Sequence, residues 1–359
     1  MIRRRKTREV QVGGVTVGGD SPISVQSMTN TDTRDVSTTV RQIRKLCEAG
    51  CEIVRAAVPD MAAAKAISEI KRQISIPIAA DIHYDYRLAL EALRNGADKL
   101  RLNPGNIGDD ENVRKVAAAA KERGVPIRVG VNSGSVDRRI YEKYGGVTAE
   151  ALAESARNQI GILESLDFGD IMISVKASGV NLTVEAYGLI AEQTDYPLHI
   201  GITEAGTAFS GSVKSSVGIG ILLDKGIGDT VRVSLTGDPV QEVRLAREIL
   251  SALDIRKFGA EIVSCPTCGR TEIDLVRLAG EVEERCRDIK EHLKIAVMGC
   301  AVNGPGEARE ADVGVAGGKG CGLIFKKGEI VRKVNEDEIL DALMYEIDNL
   351  GQHNRFRER

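Results

Sequence analysis

Short aliphatic runs in this chain repeatedly end in arginine, lysine, aspartate or asparagine. Arg55 closes Ile53-Val54-Arg55, and Asp81 and His83 follow Ile78-Ala79-Ala80. Arg101 and Asn103 flank Leu102, Arg128 and Asn132 lie on the next run, and Lys176 follows Ile171-Met172-Ile173. Glu204 comes after Leu198-His199-Ile200, and Arg232 and Ser234 flank Val233. Several of these pairs are spaced i, i+2, which turns both side chains to one face of a strand. An unpaired cation taken from water costs several kcal/mol. Four arginines and a lysine among apolar neighbours therefore require water, carboxylates or an anionic ligand, and Asp81 and Glu204 cannot balance all five. Guanidinium forks match phosphate geometry, each charge-assisted bond contributing roughly 1.5–3 kcal/mol. The set points to a phosphorylated or diphosphate substrate. The Gly- and Ser-rich stretches 103–108 and 210–216 are expected to be loops whose amides cradle an anion. Neither fits a Walker A or dinucleotide fingerprint, so ATP and NAD have no warrant.

A second chemistry is written in cysteine. Cys265-Pro266-Thr267-Cys268 is a C-x2-C knuckle, and Cys300 follows the apolar run that ends at Met298. Three thiolates from two neighbouring turns suit corners of a cubane iron–sulfur cluster. Zinc is the rival, although a zinc ribbon usually brings a second knuckle and none is present. Cys286, expected mid-helix, and Cys321, after a Gly-rich run, are poor fourth ligands, so spacing alone leaves both metals open. The C-x3-C-x2-C pattern is absent. Cys47 and Cys51, four apart around a helix end, read as small buried hydrophobes. Of the four histidines only His83 falls with the cationic set; His199 reads as core, and His292 and His353 as surface.

These residues need a scaffold. Strand-like runs begin at Ile23, Ile53, Ile78, Leu100, Ile127, Ile171, Leu198 and Val231, separated by amphipathic stretches such as 40–49, 61–72, 111–123 and 239–253. Such alternation predicts a parallel sheet with helical crossovers, and eight units close a TIM (β/α)8 barrel whose chemistry gathers at the strands' C-terminal ends. A doubly wound open sheet is the competing arrangement. After Phe258-Gly259-Ala260 the pattern changes to two strands ending at Cys265 and Cys300, a charged helix over 272–292, a hairpin at Lys327-Gly328 and a last helix over 336–349. The expected division is a barrel over 1–258 and a smaller α+β domain over 259–359.

Composition narrows the class further. Lys+Arg 49 against Asp+Glu 52 gives a net charge of -3, without the basic excess of a nucleic-acid binder, and 3% aromatic residues offer no stacking platform. The basic start Ile2-Arg3-Arg4-Arg5-Lys6 leads into polar and Gly-rich sequence, not a secretory signal, and no apolar run would span a bilayer. A cytoplasmic enzyme binding neither nucleic acid nor membrane is expected, with its cysteines as ligands or thiols.

Taken together the residues resemble the bacterial 4-hydroxy-3-methylbut-2-enyl diphosphate synthases of the non-mevalonate isoprenoid pathway, over essentially the whole chain. The resemblance is carried by residues 25–31 (VQSMTNT), Ala80-Asp81-Ile82-His83, 100–106 (LRLNPGN), 264–270 (SCPTCGR) and the stretch from Cys300 to Glu307. It implies a TIM barrel followed by an iron–sulfur domain similar to a sulfite-reductase half-domain, in the short form without the plant-type insertion. It implies a [4Fe-4S] cluster on Cys265, Cys268, Cys300 and Glu307, and Cys321 matches no required position. The implied substrate is 2-C-methyl-D-erythritol 2,4-cyclodiphosphate, held by Arg55, Arg101, Arg128, Lys176 and Arg232 with Asn103, Asn132 and Ser234. Glu204 is then the acid/base or charge-stabilising candidate, with Asp81 and His83 orienting it or donating a proton. Reduced flavodoxin or ferredoxin is the implied electron donor. A homodimer is implied in which one subunit's cluster domain covers the other's barrel. The rival readings are a dihydropteroate-synthase-like barrel enzyme with a zinc-bound structural tail, and an iron–sulfur electron carrier, for which the arginine set has no use.

Overall fold

The structure, a computed structural model, describes residues 2–287, 289–301 and 309–357, without the side chains of 351–357. It comprises two compact units, Met1–Arg256 and Lys257–Arg359.

In the first unit a small antiparallel hairpin, β1 (Val10–Val12) and β2 (Val15–Val17), precedes the barrel. The barrel strands are β3 (Ser24–Met28), β4 (Ile53–Ala57), β5 (Ile78–Asp81), β6 (Lys99–Leu102), β7 (Ile127–Asn132), β8 (Ile171–Lys176), β9 (His199–Ile200) and β10 (Thr230–Val231). They pair in the order β8-β7-β6-β5-β4-β3-β10-β9, all parallel, and a bridge from Ile173 to Leu198 closes the ring. This is the expected (β/α)8 closure, and the open-sheet alternative is set aside. The crossover helices are α1 (Val36–Glu48), α2 (Met61–Lys71), α3 (Tyr86–Arg94), α4 (Asp110–Arg123), α5 (Arg138–Tyr144), α6 (Ala149–Ser165), α7 (Val180–Gln193), α8 (Ala208–Asp224) and α9 (Pro239–Ala252). Asp35, Asp60, Asp109 and Thr148 each accept a backbone N–H three residues on, which fixes where the chain turns from loop into helix.

The barrel is usually filled by Val, Ile and Leu; here its middle is polar. Strand parity turns Gln26, Arg55, Asp81, Lys99, Arg101, Arg128 and His199 inward and their aliphatic neighbours toward the helices. Lys99 demonstrates it, since its Nζ donates to Gln26 Oε1 at 2.6 Å from a strand three places away in the ring, a contact possible only through the interior. Below this layer Val10, Val12 and Val17 of the hairpin pack on Ile53 and Met172, sealing the floor with hydrocarbon. The arm ahead of the hairpin is pinned by Arg4 and Thr7 to buried Asp229 (both 3.0 Å) and by Arg5 to carbonyls including Thr194 and Tyr196.

The second unit is a five-stranded mixed sheet in sequence order: β11 (Ala260–Ser264), β12 (Leu293–Met298), β13 (Val313–Gly318), β14 (Cys321–Lys326) and β15 (Glu329–Asn335). The first three strands are parallel and the last two antiparallel. Helices α10 (Leu275–Arg285) and α11 (Ile339–Arg357) cover one face through Leu275, Leu278, Val282, Ile339 and Leu343. Lys327 and Gly328, both at positive φ (46° and 86°), form the expected two-residue hairpin. The charged helix is shorter than expected. It ends at Arg285, and Cys286 is its buried C-cap, not a mid-helix residue, because the chain must turn back there to start β12.

Candidate active site

The cationic residues meet at the C-terminal mouth of the barrel. Asp81 is the hub: its Oδ1 lies 3.3 Å from Arg101 Nη1, and its Oδ2 lies 3.7 Å from both Arg55 Nε and His83 Nε2. Burial alone would raise the Asp81 carboxyl, but Arg55, Arg101, His83 and Arg128 together outweigh it and hold the group below its ordinary value. Arg55 donates to Met28 Sδ through Nε and Nη2 (3.0 and 2.8 Å), and burial, reinforced by its cationic neighbours, pushes its pKa down to about 10. Arg128 is only 2% exposed and donates from Nη1 to Ser174 Oγ at 2.6 Å. Burial and the charges of Arg55 and Arg101 push it well below the ordinary arginine range. Lys176 is pushed down by burial and then by Arg128, Arg232, Arg55 and Arg101.

Two glycines make room for these side chains. Gly130 accepts Arg101 Nη2 on its carbonyl (2.8 Å) and donates its N–H to Asn103 Oδ1 (2.9 Å). A Cβ on Gly130 would stand 2.6 Å from Arg101 Nε, and one on Gly201 would meet Lys176 Nζ at 2.9 Å and the Arg232 carbonyl at 2.2 Å. Gly130 lies outside the left-handed region, so alanine there would disturb Arg101 and not the backbone. Gly130→Ala is expected to raise KM for the ligand by about tenfold, the loss of one charge-assisted bond, with the melting temperature held. Unchanged KM would show that Arg101 is not a ligand-binding group.

Orphaned polar atoms mark the same place. Arg101 Nε, Arg128 Nε and Nη2, and Arg232 Nε are buried without a hydrogen-bond partner among the described residues. Buried donors in this state call for an acceptor. The nearby carboxylates, Asp81 and Glu242, do not match the number of cations. Asn132 starts the turn 133–135, its N–H donating to Ser135 Oγ (2.8 Å), and Ser234 is half-buried beyond β10. Glu204 stands exposed beyond β9 at φ 50°, a left-handed conformation that a non-glycine residue holds only under constraint and that concentrates at functional sites.

The anion-cradling loops need correction. Residues 210–216 lie within α8, whose Gly211, Ser215, Ile219 and Leu222 pack inward at helical spacing, so from Gly211 onward the amides belong to the helix ladder. In 103–108, Gly105 N–H donates to Gln159 Oε1 (2.6 Å) and Asn106 N–H to the Asn103 carbonyl, so these two amides are already engaged. Sequence reasoning passed over Lys99, Gln26, Ser174 and Glu242. The i, i+2 rule that paired Arg101 with Asn103 also reaches back to Lys99; Glu242, on a helix, had no such signal.

In the second unit parallel strands β11 and β12 end side by side, Ser264 opposite Val297, which sets Cys265 next to the turn that carries Cys300. The Gly299 N–H donates to Cys265 Sγ at 3.2 Å. Cys268 is exposed, and the backbone N–H of Arg270, with its nearby guanidinium, draws the thiol pKa down toward thiolate. All three thiols are free. Among the described residues no three His, Cys, Asp or Glu side chains converge as a single ion would demand. The thiolate set and the N–H···S bond to Cys265 are of the donor type that an iron–sulfur cluster takes at its corners. Glu307 lies outside the described residues.

The two units correspond to two family models: the GcpE TIM-barrel domain matches residues 7–247 and the GcpE protein C-terminal domain residues 261–349. The chain belongs to the GcpE family. A 4-hydroxy-3-methylbut-2-en-1-yl diphosphate synthase (flavodoxin) of Geobacter sulfurreducens is 62% identical over 347 residues, 97% of this chain and 98% of that protein. Its namesake from Ruminiclostridium cellulolyticum is 58% identical over 349 residues, 97% of this chain and 99% of that protein. Among solved structures, dihydropteroate synthase from Stenotrophomonas maltophilia has a TM-score of 0.51 at 13% identity, covering 69% of this chain and 97% of its own. That likeness is one of fold alone and gives the dihydropteroate-synthase reading no support beyond the barrel. No helix among the described residues is long and apolar enough to cross a membrane.

Proposed function

We infer that this GcpE-family chain opens 2-C-methyl-D-erythritol 2,4-cyclodiphosphate reductively, giving 4-hydroxy-3-methylbut-2-enyl diphosphate. The observation that carries the reading is the barrel mouth, where Arg55, Arg101, Arg128, Lys176 and Arg232 converge with orphaned N–H groups and too few carboxylates. The conversion takes two electrons; a ring C–O bond breaks, and one oxygen leaves as water after protonation. Reduced flavodoxin is the proposed donor, by analogy with relatives that carry it in their names.

Arg128 and Lys176, the most buried cations of the rim, hold the diphosphate with Arg55, Arg101 and Arg232, assisted by Asn103, Asn132 and Ser234. Holding both phosphates fixes the ring and spends the orientational entropy before reaction. Asp81 keeps Arg55 and Arg101 apart and aimed, and His83, 53% exposed and 3.7 Å from Asp81, can pass a proton in from solvent. Glu204 holds or gives the proton at the departing oxygen. Cys265, Cys268 and Cys300, with Glu307 by family resemblance, would hold a [4Fe-4S] cluster, which supplies electrons and Lewis acidity when bound. Glu204→Gln is expected to keep substrate affinity and cluster content while kcat falls by about 10²–10⁴; normal turnover would remove it from the chemistry.

Diphosphate binding should also move a proton. Lys176 is depressed while unliganded, and an anion beside it raises its pKa again, so at a pH between the unliganded and liganded values binding takes up a proton. Affinity is full below the unliganded pKa and falls as pH rises above it, toward the ordinary lysine value of 10.5. Calorimetry in buffers of different ionisation enthalpy should register uptake; release would reverse the assignment.

A homodimer is part of the proposal. Phe209, Val213, Val217 and Ile221 repeat every four residues along α8 and are exposed, Phe209 by 84%, an apolar helix stripe suited to a second copy. Sedimentation as a monomer would overturn it. The activity itself is tested by anaerobic purification with iron and sulfide analysis, followed by assay with the cyclodiphosphate. Zinc in place of iron, or no product from iron-loaded protein, would sink it.

A further inference from the structure

Helix α9 carries a carboxylate to which neither the cation set nor the cysteines assign a role. Glu242 lies in its first turn, is 5% exposed, and reaches three residues on two segments, β3 and the stretch that follows β10. Its Oε2 accepts from Ser27 Oγ on β3 at 3.2 Å and stands 3.6 Å from Arg232 Nη2. Its Oε1 accepts the backbone N–H of Leu235 at 3.0 Å. Ser234 lies between the two residues so held. Strands β3 and β10 are neighbours in the ring, so the carboxylate ties together the seam where the first and last barrel strands meet.

We propose that Glu242 is a positioning residue for the diphosphate site, acting through Arg232 and the segment that carries Ser234. Arg232 is buried enough that it would otherwise choose among rotamers or fold back on the other cations. The carboxylate forms an ion pair with Nη2 at 3.6 Å, and Nε is without a partner among the described residues. A guanidinium drawn to one side by a fixed carboxylate presents its remaining donors to an incoming phosphate at little entropic cost. The Leu235 contact fixes the backbone on the other side of Ser234. The peptide dipoles of the helix favour a negative charge in this first turn. A purely structural carboxylate would satisfy the same hydrogen bonds, and the distinction lies in what its loss does to ligand binding.

The inference rests on reading Arg232 as a diphosphate-holding group, and the experiment separates the two. In the holoenzyme, Glu242→Ala is expected to raise KM for the cyclodiphosphate by about tenfold with kcat within about threefold, and to weaken inorganic pyrophosphate binding similarly. Glu242→Gln keeps an acceptor for the Leu235 amide and should recover most of the loss. In an Arg232→Ala background the Glu242→Ala effect should shrink to about threefold or less, the share carried by the Ser234 segment, because coupled residues are not additive. Wild-type KM in Glu242→Ala, or the full tenfold loss persisting without Arg232, overturns the positioning role. If Glu242→Ala does not fold, Glu242→Gln carries the test, with a KM rise of about threefold that disappears without Arg232; no rise overturns the role. Wild-type KM in Arg232→Ala alone overturns the underlying reading of Arg232, a different result from the other failures.

Discussion

Arg128→Met is expected to cost the site its ligand and yet make the unliganded protein more stable. The guanidinium is buried within the barrel, donates once to Ser174, and keeps Nε and Nη2 without a partner among the described residues. Its neighbours Arg55 and Arg101 carry the same sign, and Asp81 is shared among several cations. Replacing a buried ion pair by hydrophobes is often neutral or stabilising by about 1–4 kcal/mol, and among the described residues no carboxylate within 4.0 Å of Arg128 would be stranded by its loss. Methionine fills the volume, while Ser174 can still donate to the Val129 carbonyl (3.4 Å). Diphosphate binding loses two charge-assisted bonds at roughly 1.5–3 kcal/mol each, so affinity should fall by about 10²-fold or more. Calorimetry with inorganic pyrophosphate measures the loss and thermal unfolding the gain. Unchanged affinity would mean that this guanidinium is structural. A large drop in stability without ligand would mean that its charge is better compensated than the contacts indicate.

Cys300→Ser should empty the second unit of iron while sparing the first. Serine is nearly isosteric, but its hydroxyl is a far poorer iron ligand than a thiolate. Cys300 is buried at the end of β12, beside the Gly299 amide that donates to Cys265, so the substitution removes a donor without opening a cavity. Iron and sulfide should fall to background, the broad visible absorption should disappear, and turnover should be lost. Inorganic pyrophosphate affinity should remain that of the unsubstituted protein, since the groups proposed to bind it lie in the barrel unit. An intact cluster spectrum would remove Cys300 from the ligand set. Loss of pyrophosphate binding would show that the units do not act as separately as their cores suggest.

The barrel was legible because parallel strands and crossover helices impose two hydrophobic periods that alternate visibly along the chain. The rim cations were legible for a related reason: arginine on an aliphatic strand conflicts with burial, and the conflict needs a ligand to resolve it. The polar layer beneath them was not. Lys99 and Gln26 meet across the barrel, and a contact between β6 and β3 depends on closure and stagger, which no local pattern specifies. The stretch 210–216 misled because Gly and Ser resemble loop sequence, whereas the packing of α8 through Gly211, Ser215 and Ile219 overrides their weak helix propensity. Glu242 was invisible because an acidic residue in the first turn of a helix has an ordinary explanation, and only the structure reveals Arg232, Ser27 and Leu235 around it. The cysteine knuckle announced a metal site by spacing; iron over zinc rested on the family resemblance.

The most direct test of the account counts electrons against product. Iron-loaded protein is mixed anaerobically with 2-C-methyl-D-erythritol 2,4-cyclodiphosphate and a measured amount of reduced flavodoxin, and the diphosphate formed is quantified. Two electrons should be consumed for each 4-hydroxy-3-methylbut-2-enyl diphosphate released, and when the cyclodiphosphate is omitted consumption should stop once the cluster itself is reduced. Product without electron consumption, or electron consumption without product, would contradict it.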